Sequence, residues 1–139
     1  IRAMGRTASG VRGIRLKSDD EVVGMDIIDP SLVKKGILDV LVVSEYGLGK
    51  RTEASEYKVQ GRGGSGIKTM NVTEKTGRIT KMRVINNTEE GDLVIISIKG
   101  QVIRIPIKTI PQLGRATQGV RIMRFKEDGD KVAGMALII

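Results

Sequence analysis

The chain has 139 residues, 40% hydrophobic and 29% charged, a composition that can fill the core of one soluble domain and excludes disorder. It has no cysteine and no histidine, which excludes disulfides and thiolate chemistry and removes the commonest general base and metal ligand. With 24 Lys and Arg against 16 Asp and Glu, the net charge of +8 points to a polyanion, nucleic acid ahead of an anionic membrane.

In chain order, short runs rich in Val, Ile, Leu and Thr predict strands over 10–17, 21–29, 38–45, 48–53, 66–74, 78–86, 92–98, 101–107, 119–126 and 131–139. No helix of ordinary length is predicted. No apolar run approaches the roughly 20 residues that span a bilayer, and no signal-peptide pattern opens the chain, so a cytoplasmic protein without a membrane partner is expected.

The elements recur. "GRTASGVRGIRL" from Gly5, "GRGGSGIKTMNV" from Gly61 and "GRATQGVRIMRF" from Gly114 are one motif three times. "DVLVVSEYGLGKRTEASEYKVQGR" from Asp39 matches "DLVIISIKGQVIRIPIKTIPQLGR" from Asp92 without a gap, pairing Gly47 with Gly100, Arg51 with Arg104 and Gly61 with Gly114. "VVGMDII" from Val22 returns as "VAGMALI" from Val132 and more loosely as "ITKMRVI" from Ile79. A four-stranded unit of about 50 residues is the size of a propeller blade. The expected fold is therefore all-β: propeller-like blades of four antiparallel strands in a partial disc, with an incomplete blade at 1–37 and blades at 38–90 and 91–139. Ile1 aligns with Tyr57, so the chain is expected to be a piece of a larger protein, about two and a half units long.

The second copy of the motif imitates two nucleotide sites. Gly61-x-Gly63-x-x-Gly66 spells a dinucleotide fingerprint, and Gly61, Gly66, Lys68 and Thr69 nearly spell a P-loop. The fingerprint needs a helix after its third glycine, but strand-forming residues follow Gly66. A P-loop lysine must follow its last glycine directly, and Ile67 intervenes. Thr7 and Ala116 replace Gly63 in the sister copies. What persists is Gly-Arg-x-x-x-Gly-[Val/Ile]-[Arg/Lys], a loop that turns at two glycines and presents two cations. Arg6, Arg62 and Arg115 are one position; Arg12, Lys68 and Arg121 are another; Arg51 and Arg104 are a third, with Lys50 beside Arg51.

Equivalent positions of a radial repeat lie along one rim, so these residues predict a basic stripe. Such a stripe suits duplex DNA, whose phosphates fix position without being read for sequence. One Phe, two Tyr and no Trp leave few of the stacking platforms used by single-strand binders. Eight stripe residues each neutralising a phosphate predict that log affinity falls with log salt at a slope of about −7. No catalytic residue, metal site or cofactor is expected.

"IRAMGRTASGVRGIRL", "YGLGKRTEASEYKVQGRGGSGIKTMNVTEKTG" and "GRATQGVRIMRF" closely resemble the C-terminal domain of DNA gyrase A, across essentially the whole chain. The resemblance implies a β-pinwheel, a propeller-like disc whose blades exchange strands and whose basic edge wraps DNA. It further implies the rest of gyrase A and gyrase B as partners in a heterotetramer, ATP-dependent negative supercoiling by the assembled enzyme, and a bacterial cytoplasmic, nucleoid-associated location. The family's box for wrapping, Gln-Arg-Arg-Gly-Gly-Lys-Gly, is matched by Gln60, Arg62, Gly63, Gly64 and Gly66, while Gly61 and Ser65 stand where Arg and Lys are usual. Lying inside the chain and short of two cations, it is read as a box-like copy in a later blade. The family's DNA-breaking tyrosine belongs to the N-terminal part of gyrase A, so Tyr46 and Tyr57 are expected to be structural. The C-terminal domain of topoisomerase IV is the nearest alternative, and the bare repeat also suits a protein-docking propeller.

Overall fold

Two β-hairpins organise the computed structural model, which describes residues 1–139. Strand β1 (Leu38–Ser44) turns into β2 (Leu48–Glu53), and β4 (Asp92–Ser97) turns into β5 (Val102–Pro106). Each turn carries the same device. The Ser44 hydroxyl accepts from the Leu48 amide at 3.2 Å, and the Ser97 hydroxyl accepts from the Gln101 amide at 3.0 Å. Gly47 and Gly100 close the two turns at φ of 85° and 89°, a left-handed conformation that glycine adopts without steric cost.

Each hairpin then receives one more antiparallel strand beside its first. β3 (Ile79–Asn86) pairs with β1 and β7 (Val132–Ile138) with β4. The registers are the same: Asp39 faces Ile85 as Asp92 faces Ile138, and the shift at Val43/Ser44 recurs at Ile96/Ser97. The gapless match in the sequence is thus a match of hydrogen-bond register.

The fourth strand of the first sheet comes from further along the chain. β6 (Val120–Arg121) pairs with β2, giving the sheet order β3-β1-β2-β6, while the second sheet runs β5-β4-β7. Strands are therefore exchanged between units. Gly119 opens β6 at φ 80°, and a Cβ there would stand 2.5 Å from the Gly49 carbonyl oxygen, so close backbone approach demands glycine.

Strand β1 is buried at every residue because both of its faces are covered. Leu41 and Val43 join Ile85, Leu93, Ile95, Ile107, Ile110, Met123 and Val132 in one cluster. Leu38, Val40 and Val42 point the other way and pack with Ala54 and Met70. Each fully buried aliphatic side chain contributes roughly 1.5–3 kcal/mol.

The strands expected at 38–45, 48–53, 78–86, 92–98, 101–107 and 131–139 are present to within a residue or two. Those at 10–17, 21–29 and 66–74 are not strands, and 119–126 contracts to Val120–Arg121. The reason is the need for a ladder partner. Residues 10–17 and 66–74 are sister runs of the one that holds β6, whose partner is the second strand of a preceding hairpin. Only the last of the three runs meets one, and residues 10–17 keep a single bridge, Ile14 to Gly64. Residues 21–29 pass close to β3 without a ladder, the Val84 amide donating to the Asp26 carboxylate at 2.9 Å.

One short helix was not expected: α1 (Pro30–Lys34), capped by Asp29, whose carboxylate accepts from the Ser31 amide at 2.9 Å. Asp-Pro-Ser is a helix start legible in the sequence. No helix is long and apolar enough to cross a membrane.

Candidate nucleic-acid interface

The three Gly-Arg-x-x-x-Gly loops share one backbone feature. Their second glycines, Gly10, Gly66 and Gly119, adopt φ of 85°, 82° and 80°. Their first glycines, Gly5, Gly61 and Gly114, do not, so the expected sharp turn at both glycines reduces to a left-handed turn at one. Gly63, peculiar to the second copy, adds its own at 76°.

The second and third loops each lean on the copy before them. The Gly64 carbonyl accepts from the Arg15 amide at 2.8 Å, and the Thr117 carbonyl accepts from the Asn71 amide at 2.9 Å, which is the same bond one unit later. The Gly63 amide also donates to the Gly13 carbonyl at 2.9 Å. This docking brings the backbone that carries the first cation of one copy next to the backbone that carries the second cation of the previous copy. Arg62 flanks the Gly63–Gly13 contact on one side and Arg12 on the other. Arg115 is tied down directly, its Nη1 donating to the Lys68 carbonyl at 2.9 Å.

Arg6, Arg12, Arg62, Lys68 and Arg121 are exposed and Arg115 is half-buried. None of the six is in an ion pair, since the pairs present engage Arg51, Arg83, Lys99, Arg104, Lys108 and Lys131. Neighbouring cations without counter-charges raise the local potential and favour a polyanion. The box-like loop, Gln60, Gly61, Arg62, Gly63, Gly64, Ser65 and Gly66, lies at this surface with only Gly63 and Gly64 half-buried.

Of the other three residues expected in the stripe, one is buried and two are held in ion pairs. Lys50 is fully buried, and its Nζ donates to the carbonyls of Gly114 (2.6 Å), Arg115 (2.8 Å) and Thr117 (3.0 Å) and to the Thr117 hydroxyl (3.0 Å). Burial pushes its ammonium below the usual lysine range. Arg51 is held by the fully buried Asp39 at 2.8 Å and donates through Nε to the Ile110 carbonyl at 2.7 Å. Arg104 repeats the pair at the surface, 2.7 Å from Asp92. The signals lay in the internal repeat, because Asp39 and Asp92 occupy one repeat position just as Arg51 and Arg104 do, and Lys50 is matched by the apolar Ile103.

Sequence reasoning also passed over Arg15 and Arg124, which share a register position with Asn71 between them and are exposed without an ion pair. Tyr57 bonds through its hydroxyl to the Thr69 hydroxyl and packs against the Leu38 cluster. Tyr46 covers Gly77, where a Cβ would meet its ring at 2.9 Å.

The family model described as "DNA gyrase C-terminal domain, beta-propeller" matches residues 1–29, 38–86 and 91–139. The DNA gyrase A protein of Staphylococcus aureus strain MRSA252 is 44% identical over 128 residues, covering 92% of this chain and 14% of the relative, and the strain COL protein gives the same figures. The chain thus spans 14% of the length of the curated relatives it matches. A solved C-terminal domain of DNA topoisomerase IV superposes with a TM-score of 0.77 at 26% identity, over 91% of this chain and 37% of that one. A solved DNA gyrase A C-terminal domain shares the fold, with a TM-score of 0.67 at 22% identity over 77% and 35%.

Proposed function

Because the chain belongs to the DNA gyrase C-terminal domain family, we propose that it binds duplex DNA along the edge carrying Arg6, Arg12, Arg62, Lys68, Arg115 and Arg121, holding phosphates without reading bases. The observation that carries this reading is the repeated docking of the second and third loops on the preceding copy, which brings together the backbone segments that carry cations free of ion pairs. Their spacing along a repeat suits a long, regularly charged polymer, and the scarcity of aromatics favours a duplex over a single strand. In the assembled enzyme, with the rest of gyrase A and with gyrase B, the edge bends a DNA segment and presents it for ATP-dependent negative supercoiling. That work is done in the bacterial cytoplasm, at the nucleoid.

Six phosphate contacts, rather than the eight inferred from sequence, predict a slope of log affinity against log salt of about −5. A fluorescence-anisotropy titration of the 139-residue chain with a blunt duplex measures it. Replacing Arg6, Arg62 and Arg115 together by Gln is expected to bring the slope to about −3. Binding that ignores salt, or that survives the triple replacement intact, rejects the edge.

The topoisomerase IV superposition favours a second reading, in which the domain steers substrate choice more than it wraps. Ligation of nicked circles in the presence of the chain separates the two. Trapped superhelical turns support wrapping, whereas binding with an unchanged linking number supports steering.

A further inference from the structure

We propose that the Lys50 ammonium is the clamp that shapes the Gly114–Gly119 loop and so aims Arg115, making Lys50 a positioning residue of the cationic edge that never touches DNA; its link to DNA rests on the reading of that edge given above.

Four loop oxygens converge on Nζ, three carbonyls and a hydroxyl, between 2.6 and 3.0 Å. A buried ammonium is tolerated only where such acceptors replace its hydration, and charge-assisted bonds of this kind are roughly twice as strong as neutral ones. No carboxylate lies within ion-pair distance of Lys50, so the loop backbone and the Thr117 hydroxyl satisfy it. Arg115 is thereby held at two points, its carbonyl on the ammonium and its guanidinium on the Lys68 carbonyl.

The molecule contains its own control. The Gly61–Gly66 loop makes the same bond to the preceding copy, through the Gly64 carbonyl and the Arg15 amide, and is not touched by Lys50, so it serves as a reference for the measurement. At the register position of Thr117 it has Gly64, and the first copy has Ala8, neither of which offers a side-chain oxygen. In the second hairpin Ile103 takes the place of Lys50, so the clamp belongs to one hairpin and not to the repeat as such.

The test compares the 139-residue chain with Lys50→Met, Arg115→Gln and the double variant, reading amide hydrogen exchange and the salt titration with a blunt duplex. Lys50→Met is expected to speed exchange at Asn71, whose amide bonds to Thr117, by about tenfold, and to leave Arg15 unchanged. It is also expected to lower the salt slope by about 0.9, as Arg115→Gln does, with the double variant losing no more than either single one. Unchanged exchange at Asn71 overturns the clamp. A wild-type slope for Lys50→Met, or losses that add in the double variant, overturns its coupling to Arg115. If the wild-type chain shows no salt-dependent duplex binding, the edge reading falls, while the contrast between Asn71 and Arg15 still decides the clamp. Thr117→Val removes the hydroxyl that accepts from Lys50 and donates to the Gly114 carbonyl at 2.9 Å, and leaves the buried lysine in place; the same changes at smaller size are expected, and their absence overturns the proposal even where Lys50→Met does not fold.

Discussion

The hairpins β1–β2 and β4–β5 share their register, their serine-capped turns and an Asp–Arg pair, yet they differ in how deeply these features are set. In the first pair the Asp39 side chain is 0% exposed and the Arg51 side chain 15%, whereas Asp92 and Arg104 are 30% and 61% exposed. Within these 139 residues the first hairpin is roofed by β6 and the loop before it, whereas β5 has no further ladder partner. Register and turn chemistry make the repeat, and what lies on top decides the energetic weight of each copied residue.

The sharpest break of this comparison is at the aspartates. Asp39→Ala strands Arg51 and removes the acceptor of Asn87 and Gln112, so a loss of about 3–5 kcal/mol is expected. Asp92→Ala removes a solvated pair and is expected to cost about 0–1 kcal/mol. Urea midpoints of the two variants measure the difference, and equal losses would show that burial does not weight the copies.

A second, smaller contrast lies in the turns. Gly100→Ala forces a left-handed residue with open space around it, a cost of about 1–2 kcal/mol. Gly47→Ala carries the same cost and also drives a Cβ to 2.5 Å from the Met123 carbonyl oxygen, so a clearly larger fall in melting temperature is expected.

The smallest effect is in acid. Burial pushes the Asp130 carboxyl up, but hydrogen bonds from Ser97 and from the Lys99 and Lys131 amides outweigh it and hold the group below the ordinary aspartate value. A lowered native pKa gives stability that is present above the unfolded value and lost as pH falls through the native one, a window below about pH 4. The first hairpin has Gly77 at this position. Asp130→Asn is expected to flatten the acid limb of the stability curve, and an unchanged limb would remove Asp130 from the comparison.

Much of the fold was legible because the repeat records register: Gly47 with Gly100 and Asp39 with Asp92 are enough to define two identical hairpins. The runs at 10–17, 21–29 and 66–74 have strand composition, but a ladder also needs a partner, and composition does not say whether one is in reach. At the site, Arg62 with Arg12 and Arg115 with Lys68 follow from the repeat once the loops are seen to dock on the preceding copy. The inward aim of Lys50 was hidden because β2 alternates without an apolar pattern, Leu48, Lys50 and Thr52 being buried together. Only Ile103, its counterpart, hinted at a position facing the core.

The exchanged strand also bears on the order of events during synthesis. At about 5–20 residues per second, the interval between the emergence of Glu53 and of Val120 is several seconds. Throughout it β2 has a bare edge, Lys50 has none of its oxygen acceptors, and Met123 has not yet reached the space beneath Gly47. The first sheet therefore matures late, as a joint product with its successor, and the nascent chain carries an open strand edge that chaperones are suited to shield.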